Sequence, residues 1–322
     1  MPYNFGADEP VTEAFARCAR EQLDHAIDEL SGGIQDDPAR AVHSARKSIK
    51  KERSLLRLAL GAVPSDQRRL ANSALREAAR ELASARDAEV MTATVEQLSD
   101  RFAGQLPATT FDTIRAHLGS RGNGKPEAVV GESSRAEALE TLRAVRLQVG
   151  GWELAEGGWK AIGSGLTRSY ERGRRAFGRA RASRASEDLH DLRKRVKDLW
   201  YQERLLAPAA GPTVRSHAKD AHRLADLLGD DHDLSLLRDE LIRSSTLLPV
   251  DLDATLALID HRRDELQTEA IHIGARIYAE SPKAFRRRMR RSFTIGRADA
   301  TAPLERRPAE LAAATRTPNH DG

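Results

Sequence analysis

The feature that most constrains this sequence is a motif that occurs twice. Ala41-Val-His-Ser-Ala-Arg-Lys-Ser-Ile-Lys50 and Asp188-Leu-His-Asp-Leu-Arg-Lys-Arg-Val-Lys197 both read apolar-His-x-x-Arg-Lys-x-apolar-Lys, 147 residues apart. A second pair follows in the same order: Leu82-Ala-Ser-Ala-Arg-Asp87 aligns with Leu228-Gly-Asp-Asp-His-Asp233 at an offset of 146. Ordered matches at one spacing indicate internal duplication, so the chain is expected to build one structural unit twice.

That unit is helical. Ala, Leu, Arg and Glu dominate, and aromatics make up only 4% of the residues; the dominant types are strong helix formers, and strand-type alternation is nearly absent. Thr12 is placed to cap a helix running to Leu30, before Ser31-Gly-Gly. Asp37-Pro38 supplies an N-cap and a first-turn proline for a second helix that runs toward Gly61. Periodicity then predicts a long third helix from Ser65 to at least Leu98. A loop is expected over 104–131 with a short helix at Phe111–Leu118, and a fourth helix at Ser134–Val149. The second half reads as helices at Ala161–Ala182, Ser186 to Pro208, Thr213–Ser244 and Asp251–Ala279. Beyond about Arg297 the chain is polar and aperiodic, which predicts a disordered tail. The expected architecture is all-α: two four-helix bundles related by internal duplication, one over 1–150 and one over 151–297, with a tail at 298–322.

The repeated helices carry charge of one sign. At about 100° per residue, His43, Arg46, Lys47, Lys50 and Arg57 share an arc of roughly 100°. Val42, Ile49 and Leu56 form the apolar stripe beside it. His190, Arg193, Lys194, Lys197 and Arg204 repeat the arc, with Leu189, Val196 and Trp200 as the stripe. Cations at i,i+3 and i,i+4 repel by a few tenths of a kcal/mol per pair, and no acid interleaves on either arc. A solvated face usually mixes signs, as Glu77, Arg80 and Glu81 do. A single-sign arc suits a ligand with many negative charges. The net charge of +4, with a sequence pI of about 9.3, hides this segregation.

Further along, Ala83 and Asp87 share a helix face with Arg76; Gly229 and Asp233 share one with His222, flanked by Lys219. A small residue at 83 and 229 permits close helix approach. Asp87 and Asp233 are read as structural orienters that hold basic side chains of the neighbouring helix.

Other chemistries find less support. Gly119-Ser-Arg-Gly-Asn-Gly-Lys125 has phosphate-loop spacing, but Pro126 stands where a magnesium-binding hydroxyl is needed and a helix, not a strand, precedes it. His217, His222, Asp230, Asp231, His232 and Asp233 invite a metal reading. The other copy has Arg86 opposite His232, and arginine is no metal ligand. The expectation is no metal, no cofactor and no catalysis. The single cysteine, Cys18, lies in an amphipathic run and reads as a buried inert thiol. The start carries no basic and apolar leader, and no run reaches 18 apolar residues, which predicts no membrane span and a cytoplasmic location.

With the two basic helices on the page, the chain resembles the CHAD family, the conserved histidine α-helical domain. The matching motifs are Val42-His43-x-x-Arg46-Lys47-x-x-Lys50 and Leu189-His190-x-x-Arg193-Lys194-x-x-Lys197. Leu82 with Asp87, Leu228-Gly229 with Asp233, and Ala275-Arg-Ile-Tyr-Ala-Glu-Ser-Pro-Lys283 extend the match over roughly 8–295. The resemblance implies two four-helix bundles about a pseudo-twofold axis, and a basic surface or pore that binds inorganic polyphosphate without cleaving it. It implies His43, Arg46, Lys47, Lys50, His190, Arg193, Lys194 and Lys197 as first candidates, with Arg57, Arg204, Arg76, His222 and Lys219 behind them. It also implies association with polyphosphate granules. The Glu-x-Glu-x-Lys motif of the hydrolase often fused to such domains is absent.

Two alternatives stay open. Arg168–Arg184 is strongly basic and includes Tyr170 and Phe177, which suits non-specific nucleic-acid contact. A metal-dependent phosphoanhydride hydrolase would need a nucleophile or a carboxylate cluster. His43 and His190 are candidates either for titration beside phosphate or for hydrogen bonds to a neighbouring helix.

Overall fold

A computed structural model describes residues 3–82, 87–121, 130–149, 151–152 and 154–301, apart from the side chains of 87–89, 121 and 301. Among these the chain is all-α, with eleven α-helices. In the first half they are α1 (Val11–Ser31), α2 (Pro38–Leu58), α3 (Ser65–Glu81), α4 (Asp87–Arg101), α5 (Ala108–Arg121) and α6 (Glu132–Val149). The second half holds α7 (Gly158–Ser183), α8 (Ser186–Ala210), α9 (Pro212–Arg243), α10 (Leu252–Ile277) and α11 (Pro282–Thr301). None is long and apolar enough to cross a membrane.

Local signals place several starts. The Asp37 carboxylate accepts the Arg40 N–H at 3.0 Å with Pro38 in the first turn, and Asp251 accepts the Ala254 N–H at 3.0 Å. Each satisfies one of the backbone donors that a helix start leaves without a partner. Thr12 does not cap: α1 opens at Val11 behind Pro10, with no side-chain cap. Nor does Pro208 stop α8, which runs two residues further to Ala210 and ends at Gly211 with φ +85°.

Helices α1, α2, α3 and α6 pack as one four-helix group, and α7, α8, α9 and α11 as another. The two groups share a continuous apolar core. Phe15, Leu23, Ile49 and Leu75 lie on one side of it; Leu166, Val196, Leu206 and Phe285 lie on the other. α7 presses onto α2 where it carries Gly165: a Cβ there would stand 2.0 Å from the Leu58 carbonyl oxygen. A second core joins α4 and α5 to the far half of α9 and to α10, through Val95, Phe102, Phe111, Ile114, Leu234, Leu241 and Ile259.

The predicted long third helix is two. α3 closes at Leu82, whose N–H reaches the Ala78 oxygen, and α4 begins at Asp87. Residues 83–86, including Ala83 and Arg86, lie outside the described residues, as does the Asp87 side chain. The two pieces serve different cores, which explains the division. α9 spans both cores unbroken, with Leu224 and Leu228 in one and Leu234 and Leu237 in the other. α5 is longer than the short helix expected in the 104–131 loop, because Phe111, Ile114 and Leu118 anchor it in the second core.

α11 is not among the predicted helices, although its apolar positions Phe285, Met289 and Phe293 recur every fourth residue, the spacing of one helix face, and are buried between intervals filled mostly by arginine. The helix passes Arg297 to Thr301, over the first residues of the expected tail. Residues 302–322 lie outside the described residues.

Candidate functional site: a basic cleft beside the crossing of α2 and α8

The two motif helices touch. The Ser54 hydroxyl donates to the Asp198 carbonyl oxygen at 3.0 Å, and Gln202 Nε2 donates to the Ser54 carbonyl oxygen at 3.2 Å. Arg57 Nη1 lies 2.9 Å from Asp198 Oδ1. Beside this crossing, α2, α8 and α9 enclose a cleft of about 590 Å³. Lys47, Arg204, Arg215, Lys219 and Arg223 line it, against the carboxylates of Asp226 and Asp230. Five cations facing two acids give a positive field in a concave wall, which attracts and concentrates a polyanion.

Trp200 forms the apolar wall. Its place on the apolar stripe predicts a core position, and it is indeed buried, but its ring also borders the cleft. The His222 ring meets it edge-on at 4.1 Å, Tyr201 stacks on it at 4.5 Å, and the Arg204 guanidinium sits 5.9 Å from its centroid. Cation–π contact restrains the arginine without consuming its hydrogen-bond donors. His222 pairs with Asp226 one turn along α9.

Of the residues expected to bind, Lys47, Arg204, Lys219 and His222 therefore meet in one cleft. His43 and Lys50 stand exposed on α2, with Arg46 half-buried; Lys197 is half-buried on α8. Lys51, which lies outside the predicted arc, stands within the field of Lys47 and Arg204. Burial first, and then Arg204 and Lys47, bring its pKa down to about 8. Arg57 is held by Asp198 on the other flank of α2, and Arg76 is exposed on α3.

The remaining motif residues of α8 pack toward α9. The His190 ring lies 4.3 Å from the ring of His232. Burial, followed by His232, Lys194 and Arg193, lowers the His190 pKa to about 4, so the ring is neutral at neutral pH. Its Nδ1 is buried with no hydrogen-bond partner. The Arg193 guanidinium lies across Gly229, where a Cβ would come within 3.3 Å of Nη2. The small residue at 229 thus admits a side chain rather than a helix backbone. Lys194 is exposed one turn beyond His190.

Asp233 does not reach the basic helices. It lines a second cavity of about 710 Å³ between α4, α9 and α10, with Arg101, Arg262 and Asp230, the last shared with the cleft. The acid that braces α9 is its neighbour Asp231, 2% exposed, which accepts from Arg263 at 3.1 Å and from Gln267 at 2.8 Å. The residues of the metal reading disperse likewise: His217 pairs with Glu203 at 2.8 Å, His222 with Asp226, and His232 with His190. Among the described residues no three His, Cys, Asp or Glu side chains gather as a metal site. Cys18 is fully buried, and burial pushes its thiol up to about 12.

The crystal structure of the CHAD domain from the plant Ricinus communis aligns with 89% of this chain and 93% of its own, at 15% identity and a TM-score of 0.46. An uncharacterized protein of Mycobacterium tuberculosis (strain CDC 1551 / Oshkosh), MT2285, is 26% identical over 252 residues. That match covers 74% of this chain and 46% of the relative, so the chain spans about half the length of the curated relative it matches. The CHAD domain profile matches residues 17–242, from α1 to the end of α9, and takes in both motif helices and every wall of the cleft. The chain is a member of the CHAD family.

Proposed function

We propose that the protein binds inorganic polyphosphate in the cleft between α2, α8 and α9, without carrying out chemistry on it. The observation that carries this reading is the convergence of Lys47, Arg204, Arg215, Lys219 and Arg223 from three helices on one concave wall. Arginine offers forked donors to phosphate oxygens, and lysine supplies a mobile point charge. A flexible chain with a charge on each phosphate can follow such a wall without sequence-reading contacts. The family is associated with polyphosphate binding, which fits the chemistry of the cleft. On this reading the protein resides with polyphosphate in the cytoplasm, at its granules.

The nucleic-acid alternative gains less from the geometry. In the basic segment of α7, Arg175 pairs with Glu171 at 3.6 Å. Arg179 pairs with Asp188 and Asp191, and Arg184 with Asp264 at 2.8 Å. Much of its charge is answered within the fold.

Calorimetry with long-chain polyphosphate at several salt concentrations tests the proposal, with orthophosphate and duplex DNA as controls. The comparison is with Lys47→Gln/Lys219→Gln. Each cation withdrawn from a phosphate should reduce the slope of log K against log salt by about 0.7, so the double variant should lower it by roughly 1.4. Unchanged affinity and slope, or DNA bound as tightly as polyphosphate, would remove the cleft as the site.

A further inference from the structure

Ser54 marks the centre of the helix crossing and divides α2 into two flanks. At about 100° per residue, Lys47 and Lys51 fall on one side of it, and Arg53 and Arg57 on the other. The cleft belongs to the first flank. The second faces a different group: Arg53 and Arg57 of α2, Arg172 of α7 and Arg195 of α8 surround Asp198. All four arginines are half-buried.

The acids available are few. Asp198 accepts from Arg57 at 2.9 Å and lies 3.7 Å from Arg195, which also pairs with Asp191 at 3.1 Å. Arg53 Nε donates to the Asn72 amide oxygen at 3.2 Å. Arg172 has no hydrogen-bond acceptor among the described residues. Asp198 alone thus serves three of the four guanidinium groups and shares the fourth. The crowding registers on the cations themselves. Burial, then Arg57, bring Arg53 down to about 10. Burial, then Arg195, lower Arg172, with Arg57 and Arg168 contributing.

Repulsion of this kind destabilises a fold unless an anion answers it. Guanidinium donors without acceptors, held half-buried on three packed helices, form a preorganised receptor for phosphoryl oxygens. The repeat gives an independent reason. At the offset of 147, Arg53 corresponds to Trp200 and Arg57 to Arg204; at the offset of 146 in the helix that follows, Arg76 corresponds to His222. The positions that wall the cleft in one copy therefore furnish or flank the arginine group in the other.

We infer that the arginines around Asp198 form a second anion site, distinct from the cleft, which takes a compact multiply charged phosphate group. The inference deepens the proposed function and rests on it for the class of ligand. The group could belong to a chain terminus or to free pyrophosphate, which share the same oxyanion chemistry.

The test uses the full chain at low salt, titrated in parallel with pyrophosphate and with long-chain polyphosphate. Arg53→Gln/Arg172→Gln leaves the Arg57–Asp198 pair in place. Expected is a loss of about tenfold or more in pyrophosphate affinity, with a melting temperature in the absence of anion at or above that of the unaltered protein. Lys47→Gln/Lys219→Gln should keep its pyrophosphate affinity and lose affinity for the long chain. On the unaltered protein, the Arg172 Nε–Hε resonance should shift on adding pyrophosphate, a readout independent of how any variant folds. Pyrophosphate bound equally well by Arg53→Gln/Arg172→Gln, or an Arg172 resonance that stays still, would overturn the second site. Pyrophosphate shifting Arg172 while long chains ignore both variants would uphold this site as one for small phosphates and overturn the cleft reading alone. Losses confined to long chains in the arginine variant would assign a polymer segment, not a compact group, and would also overturn the inference.

Discussion

Glu52 lies on the inner face of α2, 0% exposed, with both carboxylate oxygens lacking a hydrogen-bond partner. Burial alone pushes its pKa well above the ordinary 4.5. The folded protein must then keep a proton that the unfolded chain releases. The sign follows: the raised group costs nothing below the unfolded pKa, and stability falls as pH rises from there toward the folded value. Each pH unit in that window costs about 1.4 kcal/mol. Each such unit is a sizeable share of the ~5–15 kcal/mol that typically holds a domain together. Glu52→Gln keeps the shape and removes the titration. Urea unfolding of both proteins over that pH range should show the variant gaining on the unaltered protein by about 1.4 kcal/mol per unit. A difference that stays flat with pH would refute the reasoning, since it would mean Glu52 is solvated or paired as a carboxylate in solution.

His217 should show the same direction for a different reason. Burial opposes its charge, but the Glu203 carboxylate at 2.8 Å prevails and raises its pKa. The pair's contribution is full below the ordinary histidine pKa and fades as pH climbs through the folded value; His217→Gln should abolish that part of the pH dependence of unfolding. His190, neutral until about pH 4, stands outside the cleft, so histidine NMR titration should find its pKa unmoved by polyphosphate; a rise in the complex would place the ligand beside His190 instead. Gly165→Ala should cost about 1–3 kcal/mol or more in thermal unfolding, because the added methyl meets the Leu58 carbonyl, backbone that cannot step aside. Trp200→Ala should weaken polyphosphate binding while leaving its salt slope nearly unchanged, since it removes the ring that steadies Arg204 but no charge; a slope reduced as in the lysine variant would show that Arg204 no longer reaches the ligand.

Sequence alone determined the features that arise from neighbours along the chain. The all-α class, the repeated basic arcs, the starts at Asp37 and Asp251 and the burial of Cys18 all follow from periodicity, capping and composition. Only tertiary structure decided what comes from other helices. Arg57 and Arg204 each lie 14 residues after a motif histidine, yet one meets Asp198 across a helix crossing and the other leans on Trp200 at the edge of a cleft. Asp233 is the acid the motif singles out, but its neighbour Asp231 points into the fold and takes the structural contacts. The division of the third helix and the gathering of Arg53, Arg172 and Arg195 are invisible in the sequence for the same reason. Periodicity fixes which side of a helix a residue occupies, whereas the charge, apolar surface or backbone that meets it is fixed only when distant segments pack.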